Sequence, residues 1–494
     1  MAAARILILE LEPQVDCGRW PAKACVGDQV RVHATVARDG HEVLRAAVRY
    51  QDPSGRWHEA PLRFGEPDRV TGIFPVDTIG RWRFQVEAWL DRHEGWLVEY
   101  DRKVAAGQSE LAGELAEGEQ LFGSGTVAEW RAAAPVLAAA ERHDTVRSDV
   151  LELAVERRLA RTGAWYELFP RSWGGLRGVA DAIPQLAELG FDVLYLPPIH
   201  PIGETNRKGR NNAVTAAPTD PGSPWAIGSP EGGHTAIHPE LGTEEDFDAL
   251  VAACREHDMD LALDFAIQCS ADHPWLGEHP DWFSQRPDGT LKYAENPPKK
   301  YQDIYNVNWD TEDWRNLWQA LLEVVQHWVR KGVRVFRVDN PHTKPFAFWE
   351  WLIAEIRAEE PDVVFLAEAF TKAAVMRALA KIGFSQSYTY FTWKTSRHDL
   401  TEYVVELVTS GMQDYFRPNF FANTPDILEE YLQRGGPPAF HARLVLAATL
   451  SPTYGIYSGY ERFESVPVAP GSEEYLDSEK YEAKQRRLDG PLLP

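Results

Sequence analysis

No stretch of the chain is apolar for long enough to cross a bilayer, so no membrane-spanning helix is expected. Positive charge is scarce. The 494 residues carry 51 Lys and Arg against 74 Asp and Glu, a formal net charge of −23. That balance argues against general binding to nucleic acid or to an anionic membrane. A local basic pocket for a small anion stays open. Cysteine is scarce too. Cys17, Cys25, Cys254 and Cys269 follow no metal-ligand spacing, and a reducing cytoplasm is the expected setting. The opening stretch MAAARILILELEP is too short and too soon acidic for a signal peptide. No Gly-rich phosphate fingerprint follows the first strand of the α/β region, which disfavours a dinucleotide fold. What the chain does have is 44% hydrophobic residues, enough for two or three cores. It also has 18 Trp and 17 Tyr. Sugar-binding clefts use such rings as platforms, although most of these are expected in cores or interfaces.

The pattern of the chain changes twice. Residues 1–105 alternate apolar and polar positions between turn signals, as in QVRVHATVARDGH, and predict an N-terminal β-sandwich. Residues 106–160 are rich in Ala, Leu and Glu and predict a helical segment. Residues 161–494 alternate short apolar runs with amphipathic helices. The eight runs begin with AWYELFP and FDVLYLPPI and end with PTYGIYSG. Repeated β-then-α units predict a parallel sheet with right-handed crossovers, and eight of them predict a (β/α)8 barrel. Two long connections, near 200–243 and 268–310, interrupt it, and loops of that length in a compact domain are usually functional or disordered. After the eighth run comes EEYLDSEKYEAKQRRLDGPLLP, which offers only a charged partial candidate for an eighth helix. The expectation is a barrel truncated near its last helix.

A barrel strand is covered on both faces and should be apolar throughout. GVRVFRVDNPHTK nevertheless places Arg337 and Asp339 two apart at the tip of the fourth strand. Asp264 ends the third strand, Glu368 the fifth, and Asp426 follows the seventh. In this fold catalytic groups sit at those C-terminal ends. Four carboxylates and one arginine then converge on one mouth. Crowded carboxylates repel, so at least one pKa rises and one group stays protonated. Retaining glycosyl transfer uses such a pair, a nucleophilic carboxylate and a carboxylic acid about 5–5.5 Å apart. Asp339 is the expected nucleophile, kept ionised by Arg337, and Glu368 the expected acid/base. Asp264 also reads as a loop brace, and Asp426 in TPDI also reads as a helix N-terminus.

In order and spacing these motifs resemble the conserved regions of the α-amylase superfamily of glycoside hydrolases and transglycosylases. Two departures narrow the resemblance. DFAIQC has Gln268 and Cys269 where an amylase has Asn-His, and NTPDIL has Pro425-Asp426 where it has His-Asp. With PIGETNRKGRNN, SPEGGHTAIHPELGT and FRVDNPHTKP, they are similar to the α-1,4-glucan:maltose-1-phosphate maltosyltransferases. The resemblance implies transfer of maltosyl units from α-maltose 1-phosphate to the non-reducing end of an α-1,4-glucan, in glycogen or α-glucan biosynthesis, with release of phosphate. It implies no metal or organic cofactor, a homodimer formed through the N-terminal region, and a C-terminal β-domain that is expected to be missing here.

It also implies site residues. A phosphate leaving group needs cationic and hydrogen-bonding contacts, and AENPPKKYQD supplies Asn296, Lys299 and Tyr301, with Lys300 as a solvated neighbour. Lys208 and Asn212 in NRKGRNN would contact the maltosyl unit. Gln268, Asp264, Arg337 and Asn340 lie on the same cleft, and Asp426 would hold sugar hydroxyls beside Asp339 and Glu368. A hydrolase or trehalose-forming isomerase of the same superfamily is the runner-up. An inactive, truncated glucan-binding protein is the alternative from another class.

Overall fold

A computed structural model describes residues 5–65, 68–296 and 299–489; the side chains of Asn296 and Lys299 lie outside the described set. The chain forms two compact units, one ending at Glu156 and one starting at Arg157.

The first unit is built on a nine-stranded sheet. Period-two patterning drives it. Strand Gln29–Arg38 buries Val30, Val32, Ala34 and Val36 and turns Gln29 and Arg31 to solvent. Phe74, Phe84, Val48 and Val86 from other strands join them in the core. The helical stretch differs from the expected 106–160. The last long strand, Gly80–Leu90, stops at Asp91, whose side chain accepts a hydrogen bond from the Glu94 N–H and caps helix Arg92–Ala105. Helices Ala112–Phe122 and Val127–Ala140 follow. The chain then returns to the sheet as His143–Arg147 and Leu151–Glu156. The Ala- and Leu-rich composition of LELAVE suggests helix. Its burial has period two, with Leu151, Leu153 and Val155 turned inward. Pairing with Gly80–Phe84 overrides propensity there.

The second unit is a closed barrel of eight parallel strands. They are Gly163–Glu167, Val193–Leu196, Asp260–Phe265, Val335–Asp339, Val364–Glu368, Gln386–Tyr388, Pro418–Phe421 and Thr453–Tyr457. All eight expected runs contribute a strand. The sixth, expected across SYTYFTW, is short because Tyr390–Trp393 coils into a 3-10 turn. Trp165, Tyr195, Ala262, Leu366, Tyr388 and Phe421 fill the interior. Among the described residues no α-helix follows the eighth strand. The last segment instead runs irregularly over the C-terminal ends of the strands. The Lys484 and Arg486 N–H groups donate to Ser172 Oγ and its carbonyl. Asn211 and Asp477 exchange two hydrogen bonds. Arg486 pairs with Glu464 and Glu479. Of the long connections, the second folds into a small three-stranded sheet of Gln268–Cys269, Tyr293–Asn296 and Lys299–Asn306.

Candidate active site

Strand register brings the charged tips together. Asp264 lies beside Arg337 across one strand pair, and Asp339 beside Glu368 across the next. Asp264, Arg337, Asp339 and Glu368 are each at most 6% exposed. Burying four charged groups is tolerable only if they pair, and Arg337 does the pairing. Its Nη1 donates to Asp264 Oδ2 at 2.7 Å and to Asp339 Oδ1 at 2.9 Å. Its Nη2 lies 2.5 Å from Glu368 Oε1. One planar cation thus ties three carboxyl groups, a task suited to the guanidinium fork.

The two faces of the cluster differ. Behind Arg337, Asp264 Oδ2 also accepts from Tyr195 OH at 2.7 Å and Trp225 Nε1 at 3.3 Å. Burial pushes its carboxyl up to about 7, against the pull of Arg337. In front, Asp339 Oδ2 accepts from Gln268 Nε2 at 2.5 Å and Asn340 Nδ2 at 3.3 Å. Burial, reinforced by the charges of Asp339 and Asp426, pushes the Glu368 carboxyl well above the usual range despite Arg337. The site therefore holds Asp339 fixed by donors and, on the neighbouring strand, a Glu368 carboxyl that burial makes hold its proton more tightly than usual. Asn340 turns the chain sharply at φ 42°. The buried Lys344 ammonium secures that turn by donating to the Asp339 and Asn340 carbonyls, each at 3.1 Å.

These groups open onto a cleft of about 580 Å³. Of the residues expected from sequence, Asn212, Gln268, Tyr301, Asp339, Asn340, Glu368 and Asp426 line it. Asp264 and Arg337 stand behind that wall. Lys208 is 3% exposed, and its ammonium donates to Gln302 Oε1 at 2.6 Å. Asn296 and Lys299 pair through their backbones at the tip of the hairpin that carries Tyr301, and their side chains lie outside the described residues. Lys300 is exposed. Arg210 is held by Glu482 at 2.9 Å.

Sequence reasoning did not find Asp303, Trp225, Trp393, Glu473, Lys480 or Tyr481, which line the same cleft. Lys480 forms an ion pair with Asp426. Glu473 accepts from Trp393 Nε1 at 2.8 Å. Asp303 is raised by burial while Lys208 and Lys480 oppose that rise. Three buried oxygens, Asn212 Oδ1, Gln268 Oε1 and Asp303 Oδ2, have no partner among the described residues. Buried acceptors ordinarily find donors, and the hydroxyls of a sugar would be suitable ones.

One cluster has the side-chain chemistry of a metal site: His234, Cys269 and His273. Its ring nitrogens are already committed. The Trp275 N–H donates to His273 Nδ1 at 3.1 Å. His273 Nε2 faces His234 Nδ1 at 3.1 Å, and His234 Nε2 reaches the Ala266 carbonyl at 2.9 Å. One tautomer of each ring satisfies the whole chain of bonds, and it leaves His273 no free lone pair for an ion.

Comparison with known proteins bears on the family and the fold. Residues 4–168 match the family α-1,4-glucan:maltose-1-phosphate maltosyltransferase, domain N/S. Residues 164–345 match the α-amylase catalytic domain. A Streptomyces coelicolor protein named α-1,4-glucan:maltose-1-phosphate maltosyltransferase 2 is 51% identical, over 98% of this chain and 78% of its own length. Proteins named α-1,4-glucan:maltose-1-phosphate maltosyltransferase from Mycolicibacterium smegmatis and Mycobacterium tuberculosis are each 47% identical over 99% of this chain, covering 80% and 79% of their own lengths. Among solved structures, an α-amylase from Lactobacillus plantarum superposes with a TM-score of 0.51 at 23% identity, covering 66% of this chain and 77% of that one. At that identity the likeness shows the barrel fold and no more.

Proposed function

The chain belongs to the α-1,4-glucan:maltose-1-phosphate maltosyltransferases, and we propose that it transfers maltosyl units from α-maltose 1-phosphate to the non-reducing end of α-1,4-glucans, releasing phosphate. The observation that carries the reading is the pair Asp339 and Glu368, side by side on neighbouring strands and tied by one arginine, on the wall of a cleft.

The proposed reaction has two displacements. Asp339 Oδ2 attacks the anomeric carbon as the bond to the phosphate oxygen breaks. Glu368 gives its proton to that oxygen. The product is a β-maltosyl ester of Asp339. Glu368, now ionised, takes the proton of the acceptor's 4-hydroxyl. That oxygen attacks the anomeric carbon, the ester breaks, and the α configuration returns. Gln268 and Asn340 orient the nucleophile through their hydrogen bonds. Asn212 and Lys208 are proposed to hold the maltosyl hydroxyls, and Asp303, Lys480 and Tyr481 are added from their place in the cleft. Asp426 would exchange its bond to Lys480 for sugar hydroxyls. Asn296, Lys299 and Tyr301 are proposed for the phosphate. Pairing of two copies through the N-terminal unit is proposed on the family ground. Leu7, Leu9 and Ile73, 50–55% exposed, offer apolar surface for it, and a monomeric mass in sedimentation would refuse it. A cytoplasmic location is proposed because the four cysteines form no disulfide, which suits a reducing compartment.

The direct test mixes the protein with α-maltose 1-phosphate and measures free phosphate, with and without a malto-oligosaccharide. Acceptor-dependent release, with products lengthened by two glucose units, is expected. Release without acceptor, or hydrolysis of starch alone, would favour a hydrolase.

The raised Glu368 carboxyl predicts a pH effect. The first displacement is faster with Glu368 protonated, so kcat/KM for α-maltose 1-phosphate should fall as pH rises through its elevated pKa, down to the rate at which phosphate leaves unassisted. α-Maltosyl fluoride, whose leaving group needs little protonation, should show a weaker alkaline limb. Identical limbs for the two donors would remove Glu368 from the acid role.

A further inference from the structure

The sequence holds 18 tryptophans, and the barrel interior and cleft use only some of them. Trp165, Trp282 and Trp349 are buried, and Trp225 and Trp393 line the cleft. A separate group stands half-buried on the outside of the barrel. Trp314 and Trp318 are four residues apart on helix Trp314–Arg330, so they share a face, with ring centroids 4.8 Å apart. Trp318 meets Trp351 of helix Phe346–Glu359 at 5.5 Å. Trp309 joins through the buried Phe348 at 4.9 Å.

Packing between the two helices accounts for Phe348 and Leu317, which are fully buried. It does not account for the indole edges. The N–H groups of Trp282, Trp328 and Trp349 all reach protein acceptors, at 2.8–2.9 Å. Those of Trp309, Trp314, Trp318 and Trp351 have none among the described residues and are not enclosed. Four neighbouring half-buried indoles with open N–H edges, flanked by the exposed Asn316 and Glu350 and with the Arg315 guanidinium 4.3 Å over one face of Trp314, form an apolar surface with polar margins. Such patches mark interaction sites.

Position suggests the occupant. Trp314 and Phe346 open their helices, and in this fold helices begin at the catalytic end of the barrel. Trp309 comes three residues after Asn306, and the 41% exposed Phe346 three after Thr343; Asn306 and Thr343 both line the cleft. The patch therefore starts at the cleft rim and continues outward. We propose that Trp309, Trp314, Trp318 and Trp351 form a second binding surface for α-1,4-glucan, holding the body of a long acceptor whose end lies in the cleft. Glucose rings alternate apolar C–H faces with hydroxyl edges, which suits indole faces with N–H margins. The inference rests on the acceptor being an α-glucan, as proposed above.

The test compares wild type with Trp314→Ala and with Trp309→Ala/Trp314→Ala. Retardation in native gels containing glycogen reads polymer binding without turnover. Kinetics with maltohexaose and with glycogen read the cleft and the surface separately. The variants should bind glycogen roughly three- to tenfold more weakly, with KM for glycogen raised by a similar factor. Kinetics with maltohexaose should be unchanged, which also certifies folding. Unchanged retardation, or equal losses with both acceptors, would overturn the surface. A change in sedimenting mass at unchanged glycogen affinity would assign the patch to a second copy of the chain instead. Absence of phosphate release from wild type with maltohexaose would sink the activity, whereas the gels would still report on the surface.

Discussion

Glu368→Ala should accumulate a covalent maltosyl-enzyme when given α-maltose 1-phosphate. Phosphate can leave as an anion, so the first displacement is slowed but survives the loss of the acid. The second does not, because an acceptor hydroxyl is a poor nucleophile until a base takes its proton. General acid–base assistance is worth about 10²–10⁴-fold, and turnover should drop by that order. Intact-protein mass spectrometry should show one added maltosyl unit on Asp339. Asp339→Ala should show neither adduct nor turnover, since no ester can form. Azide separates the roles further. In Glu368→Ala it should attack the trapped ester and give the α-azide. In Asp339→Ala it should displace phosphate directly and give the β-azide. An unmodified Glu368→Ala protein, or the same azide anomer from both variants, would remove the proposed roles from these residues.

What made that pair legible was incongruity. A buried strand that ends in Arg-x-Asp, or an isolated Glu in FLAEAF, has no packing reason to exist. Strand ends in this fold point at one place, so sequence order alone brought Asp264, Arg337, Asp339 and Glu368 together. The same logic could not find Lys480 and Tyr481. They come from an irregular charged segment that reaches the cleft through contacts such as Asn211 with Asp477, and no local period announces such a return. Asp303 was hidden differently. It lies on a hairpin strand, Lys299–Asn306, inside a long connection that showed no regular pattern. In the first unit, LELAVE composition suggested helix, while only its partner strand decides for sheet. Local chemistry was readable; long-range pairing was not.

Arg337→Met should unfold the barrel more readily, and more so at high pH than at low. Arg337 is the shared cation of three buried carboxyl groups. Removing one partner of a buried ionic network costs about 3–5 kcal/mol, because the charges left behind are unpaired and dry. Those charges have an escape. The Asp264 carboxyl is already raised to about 7 with Arg337 beside it, and it rises further without that cation. The folded variant would then hold protons that the unfolded chain releases above its ordinary carboxyl pKa. Stability falls with rising pH wherever the folded state binds more protons. The loss relative to wild type should therefore be modest near pH 5, where protonation neutralises the cluster. It should approach the full value near pH 8, where keeping those protons is itself costly. Urea midpoints for the two proteins at both pH values measure this directly. Arg337→Lys should fall between them, since an ammonium keeps the charge but cannot reach three carboxyl groups in the plane of a fork. Equal losses at the two pH values would mean that packing, rather than charge, is what Arg337 supplies. In that case the pull of Arg337 against the Glu368 proton would be weak, and burial with the neighbouring carboxyls would set that proton alone.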